Sequence, residues 1–567
     1  MNMLLQFFMF YIFCFLSGRS LYIILGNFNS EQVEDEEVFN LKSSNLFTIY
    51  GLFFLGNTIV IFNFFTPLNL TTKIIICLIL VLPNLANLKI KYQIKENLHK
   101  TALKITTAII LSISFFDIGI SKDSYLYHIK NQLWIIQDKI IFGISNLDPY
   151  LGYLPISEYI HSFIFTLENY KYIHFFNLTI VISFTFILIE MFFCRNKFLI
   201  NSAFIISIFG FLDNFGFQGG RNGYFYFQEL GKTDSSAGII FTIFIILIIY
   251  SFQLQRRVNK NEVISLLLFS IFSIQMRPIG YLSLFLIGCL FYKSDKRTRY
   301  YFLNVKLLIF FLIWHIKSVV ATSCFVYPVS FTCLPFLSWH TTDLYSYLSK
   351  LILAGYWNPQ IGIRALENFD WIIDPWFIKN KSYLINFFFT FFIIFMINRF
   401  RSFKYNKNGF FIFFSVGVFL IWFLAFPQYR FTASVFIPGT ILFFNYELSN
   451  TNKIFEYFRT RSLLIYFLVV INSVMLVNRN SYIDMIDSQQ IFPTPVEVKK
   501  YQERSGGYWD SPVEVVCGAN KNCYYWDYEV ISDEIESYKI FKLKDPSYYS
   551  FLLEKNIEPT TPTVEGK

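Results

Sequence analysis

Apolar stretches close to the length of a membrane crossing recur along this chain, and short Lys/Arg-rich segments separate many of them. A helix needs about 20 apolar residues to cross the hydrocarbon core. Candidate spans fall near 3–25, 46–65, 72–88, 101–116, 172–193, 198–212, 236–253, 262–275, 278–292, 303–320, 382–398, 409–425, 431–446 and 462–478. They predict an all-α polytopic membrane protein with about 12–14 transmembrane helices. Composition agrees, with only 15% charged residues against roughly a quarter in soluble domains. The first 16 residues are apolar but lack a basic n-region and a small-residue cleavage site, so they read as a retained membrane segment.

The net charge of +9 is compatible in sign with nucleic acid, but its placement argues against that partner. The basic residues gather in Lys89–Lys100, Arg195–Lys197, Arg256–Lys260, Lys293–Arg299, Arg399–Lys407 and Lys453–Arg461. Placing all six in the cytoplasm is compatible with every span between them, as the positive-inside rule requires. Segments 117–170, 213–235, 321–381 and the tail from Arg479 then lie outside. The acidic stretch Glu31–Glu37 falls inside, and acidic residues contribute little to orientation. The reading is therefore a 1–478 membrane domain followed by a 479–567 extracytoplasmic region. That tail holds fifteen Asp/Glu and ten Lys/Arg, a net −5, and Pro512–Val530 reads as two short strands around a Gly/Asn turn, making it a small α+β tail. Cys517 and Cys523 flank that turn. They are disulfide candidates in an oxidising compartment, as are Cys324 and Cys333, with free thiols the alternative. The eight cysteines show no zinc-like CxxC pairing, so no structural metal is expected.

Ionisable residues concentrate in Phe116–Asn169, which carries Asp117, Asp123, His128, Asp138, Asp148, Glu158 and His161. Apolar residues at 126, 129, 133, 136 and 140 have helical spacing and predict an amphipathic helix over Ser124–Ile140 on the outer interface. A second runs over about Ser157–Leu167. Asp123 and Tyr127 are four residues apart and share a helix face, while His128 points elsewhere. A partly buried carboxylate there suits a general base for an acceptor hydroxyl; the plainer reading is that Asp123 caps the helix. Asp117 is a second candidate acid and His128 a third catalytic candidate, its plainer role a structural hydrogen bond. Asp234 opens a span next to a glycine-rich loop that lacks a P-loop's lysine position, and it too is a binding or a capping residue.

Arg277 sits between two short apolar runs, where an arginine is costly unless partnered. Its guanidinium suits bidentate capture of a phosphate. Lys317 and Arg430 are two further cations assigned to the same side. Together they point to a lipid-linked phosphate or pyrophosphate, with snorkelling to head groups as the alternative.

These features resemble the GT-C-type integral membrane glycosyltransferase superfamily, and more closely a bacterial branch of it. The resemblance rests on the D-x-x-x-Y-H segment (Asp123, Tyr127, His128), NLDPYLGY with Gly152 and Tyr153, and TDSSA at Asp234. It continues through WHIKSVVATSCFVYP (Trp314, Lys317, Tyr327, Pro328), Trp339 and FPQYRF (Pro427, Arg430, Phe431), covering about 100 to 445. It implies an outward cavity in the bacterial inner membrane and a polyprenyl-phosphate sugar donor. The acceptor would be a surface glycan or lipid on the extracytoplasmic side, with the first outer loop carrying the base. Two departures stand out: Asp123 lacks an adjacent acid, and position 317 is lysine where arginine is expected. No cofactor is required, although an acidic loop is able to bind a divalent metal. A polysaccharide polymerase or ligase, or a non-catalytic transporter or assembly protein for lipid-linked sugars, is the alternative.

Overall fold

The computed structural model of the protein describes residues 3–26, 37–38, 41–42, 44–85, 98–116, 118, 124, 128–146, 149–165, 170–194, 196–215, 227, 230–253, 258–340, 350, 370–399, 409–425, 427, 434–444, 462–477, 479–487, 538–542 and 549–553. Asp117, Asp123, Tyr127, Arg430, Cys517 and Cys523 lie outside them, as does all of Pro512–Val530.

The protein is an all-α membrane protein. Its helices are α1 (Met3–Gly26), α2 (Ser44–Asn63), α3 (Leu70–Leu85), α4 (Leu98–Ser112), α5 (Ile129–Gln137), α6 (Ile156–Ile164), α7 (His174–Phe193), α8 (Lys197–Phe215) and α9 (Asp234–Gln253). They continue with α10 (Lys260–Met276), α11 (Leu282–Lys293), α12 (Lys296–Phe302), α13 (Val305–Thr322), α14 (Ile378–Arg399), α15 (Gly409–Ala425), α16 (Phe436–Phe443), α17 (Ser462–Leu476) and α18 (Arg479–Asp487). The only strands among the described residues are two short antiparallel pairs, Glu37–Val38 with Leu41–Lys42 and Tyr538–Lys542 with Tyr549–Leu553.

Among the described residues five helical stretches, in α1, α2, α7, α9 and α13, are long and apolar enough to cross a membrane. The bent pair α17–α18 makes a sixth if it counts as one span, and five further apolar helices are shorter. The hydropathy pattern overstates helix length at the run 278–292, where α11 has 12 residues behind the 3-10 turn Pro278–Tyr281, and understates it at 262–275, where α10 has 17. At about 1.5 Å per residue, α11 reaches only about 18 Å along its axis.

Burial sorts these helices. The apolar window of α9 is 94% buried and that of α7 is 89%, so they form the centre, whereas only 33% of α13's is covered. Outer helices expose apolar stripes at helical spacing, such as Ile74, Leu78 and Leu82 on α3 and Ile385, Phe388, Phe392 and Phe395 on α14. A helix surrounded by water would bury such stripes; lipid accepts them. Close packing of α1 on α2 depends on two glycines. A Cβ on Gly18 would lie 1.7 Å from the Phe47 carbonyl oxygen, and one on Gly51 would lie 1.7 Å from that of Cys14. Small residues of this kind let helix backbones touch.

Cross-links define two ends of the bundle. At one, Lys100 pairs with Glu190 at 3.0 Å, Lys104 reaches Asn45 at 3.2 Å, and Lys306 donates to the Ile24 carbonyl at 2.6 Å. Helix ends bordering the Lys/Arg-rich segments therefore converge. At the other, Asn63 donates to the Asp138 carbonyl at 2.9 Å and the Gly143 amide to Val320 at 2.9 Å, so the first loop folds back over the ends of α2 and α13. Helices α5 and α6, each nine residues long, occupy parts of the two stretches expected to be helical in that loop, but α6 is buried within the protein rather than lying on an interface.

Candidate functional site

The cleft at this second end is built on a turn that glycine makes feasible. After α10 the chain runs Arg277-Pro278-Ile279-Gly280-Tyr281, and Gly280 presses onto the α10 backbone. A Cβ there would lie 2.2 Å from the Ser273 carbonyl carbon and 2.4 Å from the Ile274 nitrogen. Arg277 closes α10, its amide donating to Ser273 at 3.0 Å. Its guanidinium meets Asp234, the first residue of α9, at 2.6 Å. Asp234 is buried and Arg277 is partly exposed, so the pair is charge-assisted and one face of the cation still reaches the cleft.

Lys317 comes from α13 and lines the same cleft. It is buried, donates to the Leu154 carbonyl at 2.6 Å, and stands 4.1 Å from the Trp314 ring centroid and 5.5 Å from that of Tyr159. Among the described residues no carboxylate pairs with it. A carbonyl and two π faces hold the ammonium without neutralising it. Arg277 and Lys317 line one cleft, together with Tyr153, Tyr281, Trp314 and Tyr327. Two of the three cations expected to frame a phosphate pocket are thus brought together; the third, Arg430, is outside the described residues.

Tyr327 enters the cleft from a loop tied by the Cys324–Cys333 disulfide, one of the two pairings the sequence raised. Its ring meets Tyr153 edge-on at 5.2 Å and packs against Gly152, where a Cβ would lie 2.7 Å from it. A second crevice, between α7, α8, α9 and α17, has no ionisable lining residue, so the chemistry belongs to the cleft.

His128, a catalytic candidate, lies in a different setting. Its Nδ1 meets Glu158 Oε1, while Gln132 donates to Oε2 at 3.0 Å and His161 lies 3.8 Å from Oε2. All four side chains are buried. Burial alone would raise the Glu158 carboxyl, but the imidazoles of His128 and His161 more than reverse this and hold it down to about 2. Burial pushes His161 down, against the pull of Glu158. Gly231, at φ +80°, lets the chain leading to Asp234 pass directly over the His128 ring. The cluster joins α5 to α6, which carries Tyr159 towards Lys317. Among the described residues no group of three or more His, Cys, Asp or Glu side chains is placed to hold a metal ion.

Sequence reasoning passed over Glu158 as a partner, although His128 and Gln132 are four apart on one helix face and Glu158 and His161 three apart on another. It also missed Tyr281 and His315. The Tyr281 hydroxyl lies 2.8 Å from His315 Nε2 on α13, a contact across 34 residues with no local pattern to announce it.

Fold and site together define an all-α integral membrane protein with a doubly cationic, aromatic-lined cleft at one end of its helix bundle. The chain belongs to the family described as Domain of unknown function (DUF8201), which it matches over residues 1–437. No curated protein and no solved structure matches it.

Proposed function

We propose that the protein is a bacterial inner-membrane glycosyltransferase. It would move a sugar from a polyprenyl-phosphate donor to a glycan or lipid acceptor on the extracytoplasmic side. The observation that carries this reading is that Arg277 and Lys317 share one cleft, with Lys317 buried beside no carboxylate among the described residues. A phosphate oxygen supplies the counter-charge that Lys317 lacks, and a planar guanidinium supplies directed hydrogen bonds to the same group. The cleft's aromatic walls suit a sugar ring and a lipid neck.

Two independent features support the orientation. Helix ends bordering the basic segments gather away from the cleft, as expected for a cytoplasmic face. The Cys324–Cys333 disulfide is at the cleft end, as expected for an oxidising compartment. Twelve to fourteen crossings belong to this reading, with shorter apolar helices joining the five long spans.

In the reaction the acceptor oxygen bonds to the anomeric carbon and the carbon–oxygen bond to phosphate breaks. Its electron pair leaves on the lipid phosphate, where Arg277 and Lys317 stabilise the charge. Asp123 is the base the sequence points to, with Asp117 and Tyr127 beside it in the chain. Arg430 is a third cation for the phosphate.

The test uses Arg277→Ala and Lys317→Met in the native host, scoring surface glycan against protein abundance. Both variants are expected to lose the glycan by about a hundredfold or more at normal abundance. Wild-type glycan from either variant at normal abundance overturns the phosphate cradle.

A further inference from the structure

Glycosyl transfer to a hydroxyl releases a proton, and among the described residues no carboxylate lines the cleft. Asp234 is already engaged by Arg277. What the cleft does hold is a phenol backed by an imidazole. Tyr281 lines it, with its hydroxyl 2.8 Å from His315 Nε2. His315 Nδ1 lies 2.7 Å from the carbonyl oxygen of Phe311, one turn earlier in α13. A carbonyl only accepts, so Nδ1 carries the hydrogen. In the neutral ring Nε2 is then bare, and the Tyr281 O–H donates to it. Carbonyl, imidazole and phenol form a directed chain that ends at the cleft, the order in which an oriented base activates a hydroxyl.

We infer that Tyr281 and His315 form the proton-accepting pair of this cleft, with Tyr281 touching the acceptor hydroxyl and His315 taking the proton behind it. The inference rests on the glycosyltransferase reading and places the acceptor proton on this pair rather than on Asp123. As the acceptor oxygen bonds to the anomeric carbon and the bond to phosphate breaks, the acceptor proton moves to the Tyr281 oxygen. Tyr281's own proton moves to Nε2. The imidazolium keeps its Nδ1 hydrogen bond to Phe311, and the added proton returns to water through Tyr281 after the product leaves.

Among the described residues, the other charged and titratable side chains lining the same cleft are Arg277, Lys317, Tyr153 and Tyr327, with Asp234 on Arg277.

The experiment compares Tyr281→Phe and His315→Gln with Arg277→Ala in the native host, scoring surface glycan per unit of protein at several external pH values. Phenylalanine keeps the ring that lines the cleft and removes only the O–H. Glutamine's amide oxygen still accepts from Tyr281 but takes up no proton. Each is expected to lower the glycan about a hundredfold or more. In the wild type, transfer should fall on acidification as the imidazole gains its second proton, and His315→Gln should lose that dependence. Purified Tyr281→Phe should still bind polyprenyl monophosphate in lipid nanodiscs, whereas Arg277→Ala should not.

Wild-type glycan from Tyr281→Phe while Arg277→Ala has none overturns the proton pair and leaves the phosphate cradle standing. Wild-type glycan from all three variants overturns both. If His315→Gln is not produced at normal abundance, Tyr281→Phe decides alone.

Discussion

At the scale of single residues, the charges in this protein divide by whether they carry a counter-charge. Glu158 is buried between His128 and His161 with Gln132 on its second oxygen, so its charge is internally satisfied. Lys317 is buried with a carbonyl and aromatic faces instead. The first arrangement is paired within the protein; the second has no carboxylate among the described residues. Glu158→Gln should therefore destabilise the protein by about 3 kcal/mol, because losing one member of a buried pair leaves the other uncompensated. The pH dependence has a definite sign. The folded-state carboxyl is depressed from 4.5 to about 2, so its contribution is fully present above the unfolded value and is lost as pH falls between the two. Thermal unfolding of purified protein in detergent from neutral to strongly acid pH checks this. The wild type should lose stability through that window, and Glu158→Gln should start lower and lose less. Equal melting temperatures for both proteins at neutral pH would remove the cluster's structural role. The sequence made the Phe116–Asn169 charges visible as a group but not their pairing, since His128 and Glu158 are 30 residues apart and meet only when α5 packs on α6.

At the scale of elements, the cleft depends on a break between two helices more than on either helix. Apolar runs reveal α10 and α11 in the sequence because both are nearly continuous in hydrophobic residues, and Arg277 marks the interruption. The shape of that interruption is not legible, because it follows from Gly280 lying against backbone that is seven residues earlier in the chain. Backbone cannot yield as a flexible side-chain tip does. Gly280→Ala is expected to displace the Arg277–Tyr281 turn, lowering surface glycan and thermal stability together. Gly288, on α11, has nothing within 4 Å of an added Cβ. Gly288→Ala should leave glycan unchanged and raise helix stability by up to about 1 kcal/mol. Melting temperature and glycan level, measured side by side, separate the two, and a neutral Gly280→Ala would show that the turn is not under this constraint.

At the scale of the whole molecule, the sequence conveys the sidedness of the bundle better than its content. Lys/Arg clusters repeat at intervals set by helix length, so parity alone sorts them to one side, and the structure independently gathers their helix ends together. Crossing number is less legible, because local hydropathy does not distinguish a full span from a short helix such as α16, eight residues long and buried among its neighbours. The two-ended arrangement makes a prediction that needs no knowledge of the substrate. Phe331 is 89% exposed in the disulfide-tied loop at the cleft end, and Lys296 is exposed at the start of α12 at the basic end. In intact cells, a membrane-impermeant maleimide should label Phe331→Cys, and Lys296→Cys only after permeabilisation, each scored above the unsubstituted protein. The same cells should show Cys324 and Cys333 protected from thiol reagents until a reductant is added. Labelling of Lys296→Cys but not Phe331→Cys in intact cells would reverse the molecule in the membrane. The cleft would then face the cytoplasm, where a disulfide of this kind does not persist, and the extracytoplasmic acceptor would have to be abandoned.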